Sequence, residues 1–104
     1  MLVAYEVSLE LIRKLAPIVP AIAKHDRDLV DQLQRAASSV ALNLAESQGH
    51  AGGNRRKHFQ YAAGSVFEVR GALEVAAAWG WVLDTSEVMP VLNRLIGLLW
   101  GLRR

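Results

Sequence analysis

The sequence has no cysteine among its 104 residues. It can therefore form neither a disulfide scaffold nor a thiolate metal site, and it has no cysteine nucleophile. Glycine and proline, at eight and three residues, are close to average usage, which is not the composition of a disordered or fibrous chain. The length fits one domain, and we expect residues 1–104 to form a single domain.

Long apolar runs are also missing. The charge-free stretches 36–45, 75–83 and 95–102 are all much shorter than the roughly 20 apolar residues of a membrane-spanning helix. The first residues, MLVAYE, lack the basic segment that opens a signal peptide. We therefore expect a cytoplasmic protein without membrane contact.

Hydrophobic residues are plentiful, at 52% of the chain, and the mean hydropathy is +0.17. A domain of this size hides only about two-thirds of the surface that its unfolded chain exposes. The chain thus has more apolar side chains than one small core needs. Contacts between subunits are the usual use of such a surplus, so we expect a homo-oligomer.

Helix-breaking residues around 17–25, 49–54 and 80–86 divide the chain into four segments. In the last three segments apolar residues recur at spacings of three and four, which is the pattern of amphipathic helices. Four helices with short connections predict an all-α fold, an antiparallel up-down-up-down four-helix bundle.

Several residues have the chemistry of helix ends. Asp26 and Asn54 are predicted to cap the second and third helices, because their side chains can accept hydrogen bonds from the first free N–H groups. Asp84 and Glu87 have capping-box spacing at the start of the fourth helix. The two prolines within 17–25 are expected to kink or end the first helix.

Three small residues at heptad spacing, Gly64, Gly71 and Ala78, lie on one face of the third helix. Glycine costs about 1 kcal/mol relative to alanine within a helix, so a close approach of another backbone is a reason to have it. That backbone belongs either to the same bundle or to a second subunit, and the sequence leaves both open. We take the three as candidate oligomer contacts.

Cations gather at one end of the predicted bundle, where the loop between helices two and three meets both termini. They include Arg55–His58 in the first turn of a helix, where the helix dipole disfavours positive charge. Beside a glycine-rich loop, such residues can bind the phosphates of RNA or DNA; the alternative is a merely solvated helix end. The candidate nucleic-acid-binding residues are Arg55, Arg56, Lys57, His58, Arg103 and Arg104.

Catalytic motifs are not found. No glutamate has a histidine three residues later, as a bundle di-metal site requires, and no arginine precedes a histidine at the spacing of helical ribonucleases of the HEPN type. Phosphate-binding loop and nucleophile-elbow motifs are missing too. Glu46 and His50 are four residues apart, but Gly49 is expected to end the helix between them. We expect no enzyme, no cofactor and no metal site.

A polar stripe flanks the apolar stripe of the second helix and faces polar residues of the third. Half-buried charges are costly unless they are paired, so we expect a structural network that includes a pair between Arg35 and Glu68. Its expected role is to fix helix register and subunit geometry. The network residues are Arg35, Ser39, Asn43, Glu46, Ser65 and Glu68.

The same residues carry a resemblance. The stretch 35–46, RAASSVALNLAE, resembles the R-A-A-x-S-[IV]-x-x-N-[IL]-A-E motif of the four helix bundle proteins encoded in intervening sequences of 23S rRNA genes. Within 59–73, the residues FxxAxGSxxExxxxL are similar to the second motif of that family. Ser47 stands where the family usually has glycine. The similarity covers roughly residues 5 to 100.

The resemblance implies a left-handed antiparallel four-helix bundle, assembly into five-membered rings and no established enzymatic activity. Related accessory variability determinants of diversity-generating retroelements form basic rings that partner a reverse transcriptase and bind nucleic acid. Transferred to this chain, the resemblance makes the network residues the family's polar signature and Gly64 its close-contact glycine. The basic cluster at Arg55–Lys57 is not part of either motif.

We therefore expect a non-enzymatic homo-oligomer, a pentamer by resemblance, that binds RNA or DNA through its basic end. The alternative is a protein-interaction module that recruits a nucleic-acid enzyme, such as a reverse transcriptase, with little nucleic-acid contact of its own. An apolar patch left exposed after oligomer formation, including Trp81 or Trp100, would favour the alternative.

Overall fold

The computed structural model describes residues 2–102, and within them it contains helices and no strand. The all-α fold class is thus confirmed. The sequence predicted four helical segments, and the structure divides the first of them in two. The helices are α1 (Val3–Leu15), α2 (Val19–Ala23), α3 (Arg27–Ser47), α4 (Gly52–Ala78) and α5 (Val88–Leu102).

The two prolines of the first segment explain the division. α1 ends at Leu15, two residues before Pro17, and Pro20 occupies the first turn of α2. Proline has no N–H to donate, and its ring clashes with the preceding turn of a continuous helix. Within a first turn, by contrast, the missing N–H has no partner to lose. The break predicted from the sequence is confirmed.

Of the predicted caps, the one at Asp26 is confirmed, because its Oδ1 accepts a hydrogen bond from the N–H of Leu29 at 3.0 Å. The prediction for Asn54 is wrong. α4 begins at Gly52, whose φ of +60° suits a residue without a Cβ, so Asn54 lies inside the first turn. The residue before the helix is Ala51, which has no side chain able to cap.

Asp84 does not form the predicted capping box with Glu87. Its Oδ1 accepts hydrogen bonds from the Ser86 hydroxyl at 2.6 Å and from the Ser86 N–H at 3.1 Å, which makes a tight turn ahead of α5. The helix begins only at Val88, and Pro90 is accommodated in its first turn. The hydroxyl, and then the N–H, of Ser86 stabilise the carboxylate and lower the pKa of Asp84 below its ordinary value.

The predicted apolar stripes form the core. The stripe positions of α3 and α4 are all buried: Leu29, Leu33, Ala36, Val40, Leu44, Phe59, Ala62, Val66, Val69, Leu73 and Ala76. α3 packs mainly against α4, while α1 packs against α3 and α5, and α5 also packs against α4. No helix within residues 2–102 is both long and apolar enough to cross a membrane.

α3 and α4 run in opposite directions. Ser39 of α3 contacts Ser65 of α4, and Asn43, one turn further along α3, contacts His58, which lies earlier in α4. This arrangement carries the polar residues at the end of α3 to the beginning of α4, where the basic residues are. The described part of the chain is elongated, with extents of 43, 23 and 19 Å.

Replacing Leu44 by alanine should lower the free energy of unfolding by about 2–5 kcal/mol, since Leu44 is fully buried and its loss leaves a cavity. The matched control is Leu42→Ala on the same helix, where the side chain is 68% exposed and a loss below about 0.5 kcal/mol is expected. Urea unfolding at two protein concentrations measures both variants. If both variants lost the same free energy of unfolding at both protein concentrations, the assignment of Leu44 to the core would be contradicted.

Candidate functional site

An open groove lies along the second half of α3, beside the start of α4. Its volume is about 630 Å³. The groove gathers residues of the predicted polar network and of the predicted nucleic-acid-binding set at one place. It is lined by Gln34, Arg35, Ser38, Ser39, Leu42, Asn43, Glu46 and His58.

A chain of hydrogen bonds crosses from α4 to α3 and back along this groove. The Ser65 hydroxyl donates to Ser39 Oγ at 2.8 Å. Asn43 Nδ2 lies 3.1 Å from the same oxygen and 2.9 Å from the Ser39 carbonyl oxygen. Asn43 Oδ1 lies 3.0 Å from His58 Nδ1. The structure thus brings together three of the six network residues and adds His58 to them.

The other three network residues do not join this chain of hydrogen bonds, although Arg35 and Glu46 line the same groove. Arg35 and Glu68 are both exposed, and no ion pair within residues 2–102 joins them, so the expected pair is not formed. Water solvates both charges, and therefore neither needs a partner. Glu46 pairs instead with His50, whose Nε2 lies 3.3 Å from Glu46 Oε1.

The hydrogen bonds of Asn43 determine the proton position on His58. Because Nδ2 of Asn43 donates to the Ser39 carbonyl, which can only accept, Oδ1 is the atom that faces His58. Oδ1 can only accept as well, so Nδ1 of His58 must carry the proton. In the neutral ring the lone pair then lies on Nε2.

A second histidine lies against the first. The rings of His50 and His58 are stacked, with centroids 5.2 Å apart and planes inclined by 15°. The rings of His58 and Tyr61 also meet, in a T-shaped arrangement with centroids 6.1 Å apart. Glu46, His50 and His58 each present one potential ligand atom, and these atoms lie within 4.8 Å of one another.

The sequence alone does not reveal this cluster, because Gly49 predicts a helix end between Glu46 and His50. α3 does end at Ser47. However, the Gly49 N–H bonds to the Glu46 carbonyl and the His50 N–H to the Ser47 carbonyl, so the chain continues for a further turn with tighter hydrogen bonds. That turn keeps His50 beside Glu46. The four-residue spacing was the available clue.

The basic cluster, Arg55, Arg56 and Lys57, lies in the second turn of α4 and not in the first as expected, because α4 begins at Gly52; all three side chains are exposed. Within residues 2–102, no ion pair involves any of them, and the first turn of α4 has no acidic residue. Arg55 and Lys57 instead lie over the rings of Phe59 and Tyr61, at 5.5 and 5.8 Å from the ring centroids. Their charges therefore face solvent beside the groove.

The two remaining candidates of the basic set, Arg103 and Arg104, lie outside the described residues. His58, the fourth residue of the basic run, turns away from the cations into the hydrogen-bond chain with Asn43. The basic surface that the structure describes therefore consists of Arg55, Arg56 and Lys57.

Of the candidate oligomer contacts, Gly64 and Ala78 are exposed and Gly71 is half-buried. A Cβ built on Gly64 or Gly71 would have no neighbouring atom of the described residues within 4 Å, and Ala78 is exposed. Close helix packing therefore does not explain Gly64, whereas Gly71 lines a pocket together with Leu29 and Gln32 of α3. The interpretation that involves a second subunit stays a prediction.

The tryptophans lie mostly at the surface. Trp79 is 70% exposed and Trp100 is 55% exposed. Trp81 is half-buried, and its ring stacks on His25 at 4.7 Å between centroids and on Trp79 at 6.4 Å. These rings contribute little to the core, which consists of aliphatic residues and Phe59.

Comparison with known proteins gives one match. A family model described as 23S rRNA-intervening sequence protein matches residues 1–99. No curated protein and no solved structure matches the chain. The matched span includes the groove, the histidine pair and the basic cluster.

Replacing Asn43 by alanine should remove the preference of the neutral His58 ring for the Nδ1–H tautomer, since Nδ1–H loses Asn43 Oδ1 as its hydrogen-bond acceptor. In the intact protein at alkaline pH, we expect neutral His58 to be protonated at Nδ1, which long-range ¹H–¹⁵N correlation spectra distinguish from the Nε2–H form. Asn43→Ala should shift the ring towards a mixture and lower the free energy of unfolding by about 1 kcal/mol. His25, which lies outside this hydrogen bond, is the internal control. A His58 ring protonated at Nε2 in the intact protein would contradict the assigned hydrogen bond.

Proposed function

Because the chain belongs to the 23S rRNA-intervening sequence protein family, which it matches over residues 1–99, we propose that it is a non-enzymatic, homo-oligomeric four-helix bundle that binds RNA or DNA through its basic end. The observation that supports the proposal most is the exposed basic cluster at the start of α4, whose charges have no acidic partner within residues 2–102.

In this proposal the helices form one up-down-up-down bundle in a single domain, and α1 and α2 together make its broken first helix. The opposite directions of α3 and α4 support this arrangement. So does the ion pair of Lys14, near the end of α1, with Glu87, just before α5, at 3.6 Å. The basic cluster then lies at the same end as the beginning of α1 and the end of α5.

The electrostatics of the cluster favour a polyanion. Three cations lie close together in the second turn of α4, near the positive end of the helix dipole. An anion bound there lowers their mutual repulsion, and phosphates are the anions that arginine forks and lysine contact best. The neighbouring groove adds the exposed Arg35 and amide and hydroxyl groups that can contact phosphate or sugar. Sequence-independent binding follows from such contacts.

The homo-oligomer, a five-membered ring by family resemblance, is the proposed use of the apolar surplus. Gly64 lies on an exposed face of α4, and a Cβ built on Gly64 or on the half-buried Gly71 meets no atom of the described residues within 4 Å. Large apolar side chains remain exposed as well: Val3, Leu42, Tyr61, Phe67, Val75, Trp79, Val82 and Trp100. A ring would repeat the basic cluster in every subunit and so bind nucleic acid through several contacts at once.

A protein-interaction module is the alternative from another class. Val82 is 94% exposed and Trp79 is 70% exposed. Both lie in the connection that follows α4, and not beside Gly64, so they offer a separate apolar surface to a partner protein. As an interaction module, the chain recruits a nucleic-acid enzyme, such as a reverse transcriptase, and makes little contact with nucleic acid itself. A cytoplasmic location is part of both proposals.

The nucleic-acid proposal is tested with the combined variant Arg55→Ala, Arg56→Ala, Lys57→Ala. Fluorescence polarisation with a labelled single-stranded RNA and a labelled DNA duplex should show binding weakened roughly tenfold or more. The slope of log K against log salt should fall in magnitude by about 2 to 3, since three phosphate contacts are lost.

The matched control removes three other exposed cations, Arg13, Lys24 and Arg27, and so has the same net charge. It should retain most of the affinity. If both variants lost affinity equally, net charge and not the position of the cluster would account for binding. The proposal is refuted if the intact protein shows no salt-dependent binding. A partner protein that is recovered equally well after nuclease treatment would then favour the interaction module.

Oligomer contacts on α4 are tested by Gly64→Leu and Gly71→Leu. A Cβ meets no atom of the described residues at these positions, and leucine has the better helix propensity by about 1 kcal/mol, so the helix should be no less stable at the exposed Gly64 in particular. Light scattering coupled to size exclusion should show a pentamer for the intact protein and smaller species for both variants.

Ala77→Leu is the control for bulk on the same helix. Ala77 is exposed and lies about 140° around α4 from Gly64 at 100° per residue. It should leave the oligomer intact. A strictly monomeric intact protein would exclude the ring, and an unchanged mass in both glycine variants would exclude this face as the contact.

A further inference from the structure

We propose that Glu46, His50 and His58 form a binding site for one divalent transition-metal ion of the zinc type. The site consists of two imidazoles and one carboxylate, a donor set that zinc uses where it keeps a fourth position for water. It joins the turn after α3 to the beginning of α4. The proposal does not depend on nucleic-acid binding.

The spacing of the donor atoms fits such an ion. Zinc bonds of about 2.0–2.2 Å in a tetrahedral site place neighbouring ligand atoms roughly 3.3–3.5 Å apart. His50 Nε2 and Glu46 Oε1 already lie 3.3 Å apart, and one donor atom from each of the three residues lies within 4.8 Å of the others. The side chains of His50 and Glu46 are 36% and 61% exposed, so they can rotate to close the remaining distance.

Asn43 prepares His58 for this role. A histidine that binds a metal through one nitrogen usually donates a hydrogen bond from the other, which fixes the tautomer and the ring orientation. Asn43 Oδ1 is the acceptor for His58 Nδ1, at 3.0 Å, and is itself held by the Asn43 amide bonds to Ser39. The ring therefore keeps its lone pair on Nε2, and the second sphere of the site exists before any ion arrives.

The charge around the site sets a limit and a consequence. The three ligands carry one negative charge, so a bound divalent ion leaves a net charge of +1 close to the basic cluster. Arg55, Arg56 and Lys57 oppose its entry, which predicts moderate affinity. Once bound, the ion clamps the connection between α3 and α4 and adds to the positive charge at that end.

The test uses protein without a histidine tag, first stripped of metal with a chelator and then dialysed. Co²⁺ is titrated while its visible absorption is recorded, because tetrahedral Co²⁺ absorbs much more strongly than the hydrated ion. Zn²⁺ is then added as a competitor. We expect saturation at one ion per chain, displacement by Zn²⁺ and a rise in Tm with Zn²⁺.

Variants separate the site from unspecific binding. His50→Ala, His58→Ala and Glu46→Gln should each weaken Co²⁺ binding at least tenfold, and Asn43→Ala should weaken it by about tenfold through the second sphere. The matched control is His25→Ala, which removes the histidine outside the cluster and should bind as the intact protein does. Circular dichroism verifies that each variant is folded; Glu46→Gln, which preserves side-chain size at an exposed position, serves if a histidine variant unfolds.

The proposal would be overturned if the intact protein showed no saturable Co²⁺ binding, if Glu46→Gln and both histidine variants bound Co²⁺ undiminished, or if His25→Ala lost binding. Saturation at half an ion per chain would also overturn it, since the ion would then lie between two copies. None of these outcomes affects the nucleic-acid proposal, which is measured separately with metal-free protein.

Discussion

The close packing of α3 against α4 is the constraint on which the rest of the structure depends. The buried faces of these two helices carry many small and branched residues, which favour a close approach of helix backbones. These residues are all buried: Ala36, Ala37, Val40, Ala62, Ala63 and Val66. At this separation short side chains reach across, as the hydrogen bond between Ser65 and Ser39 shows. A longer polar side chain, that of Asn43, then reaches His58.

The same seam gathers groups of opposite chemistry at one end. The end of α3 supplies Glu46 and Asn43, and the beginning of α4 supplies the basic cluster and His58. Short connections between antiparallel helices force these groups to be neighbours. Positive charge at the start of α4 opposes the helix dipole, and neutral Ala51 in the cap position offers it no compensation. An anion, and in particular a phosphate, is the partner that would relieve this cost.

The apolar residues of α4 lie on two faces, an inner face that belongs to the core and an outer face that is exposed. Its inner stripe is completely buried, yet Phe67 and Val75 remain exposed, and Gly64 lies on the open side with them. A glycine with no neighbour in its own chain gains nothing from its missing side chain within the monomer. This absence of an intrachain reason is why we propose that a second subunit covers that face.

The sequence by itself determined the helices, because their apolar spacing, the proline break before Val19 and the cap at Asp26 depend only on residues within a few positions of one another. It also indicated which residues are polar at the groove. It did not determine their partners. Arg35 and Glu68 looked like a pair on spacing and charge, but both point to water, where pairing brings little.

Only the tertiary structure brought His50, Glu46 and His58 together. The tight turn after Ser47 depends on backbone hydrogen bonds that a glycine at position 49 does not reveal, and His58 belongs to the next helix. It also decided that α4 begins at Gly52, with its φ of +60°, and that Asn54 lies inside the helix. Contacts between elements depend on the distance and rotation of whole helices, and local spacing along the chain does not encode either.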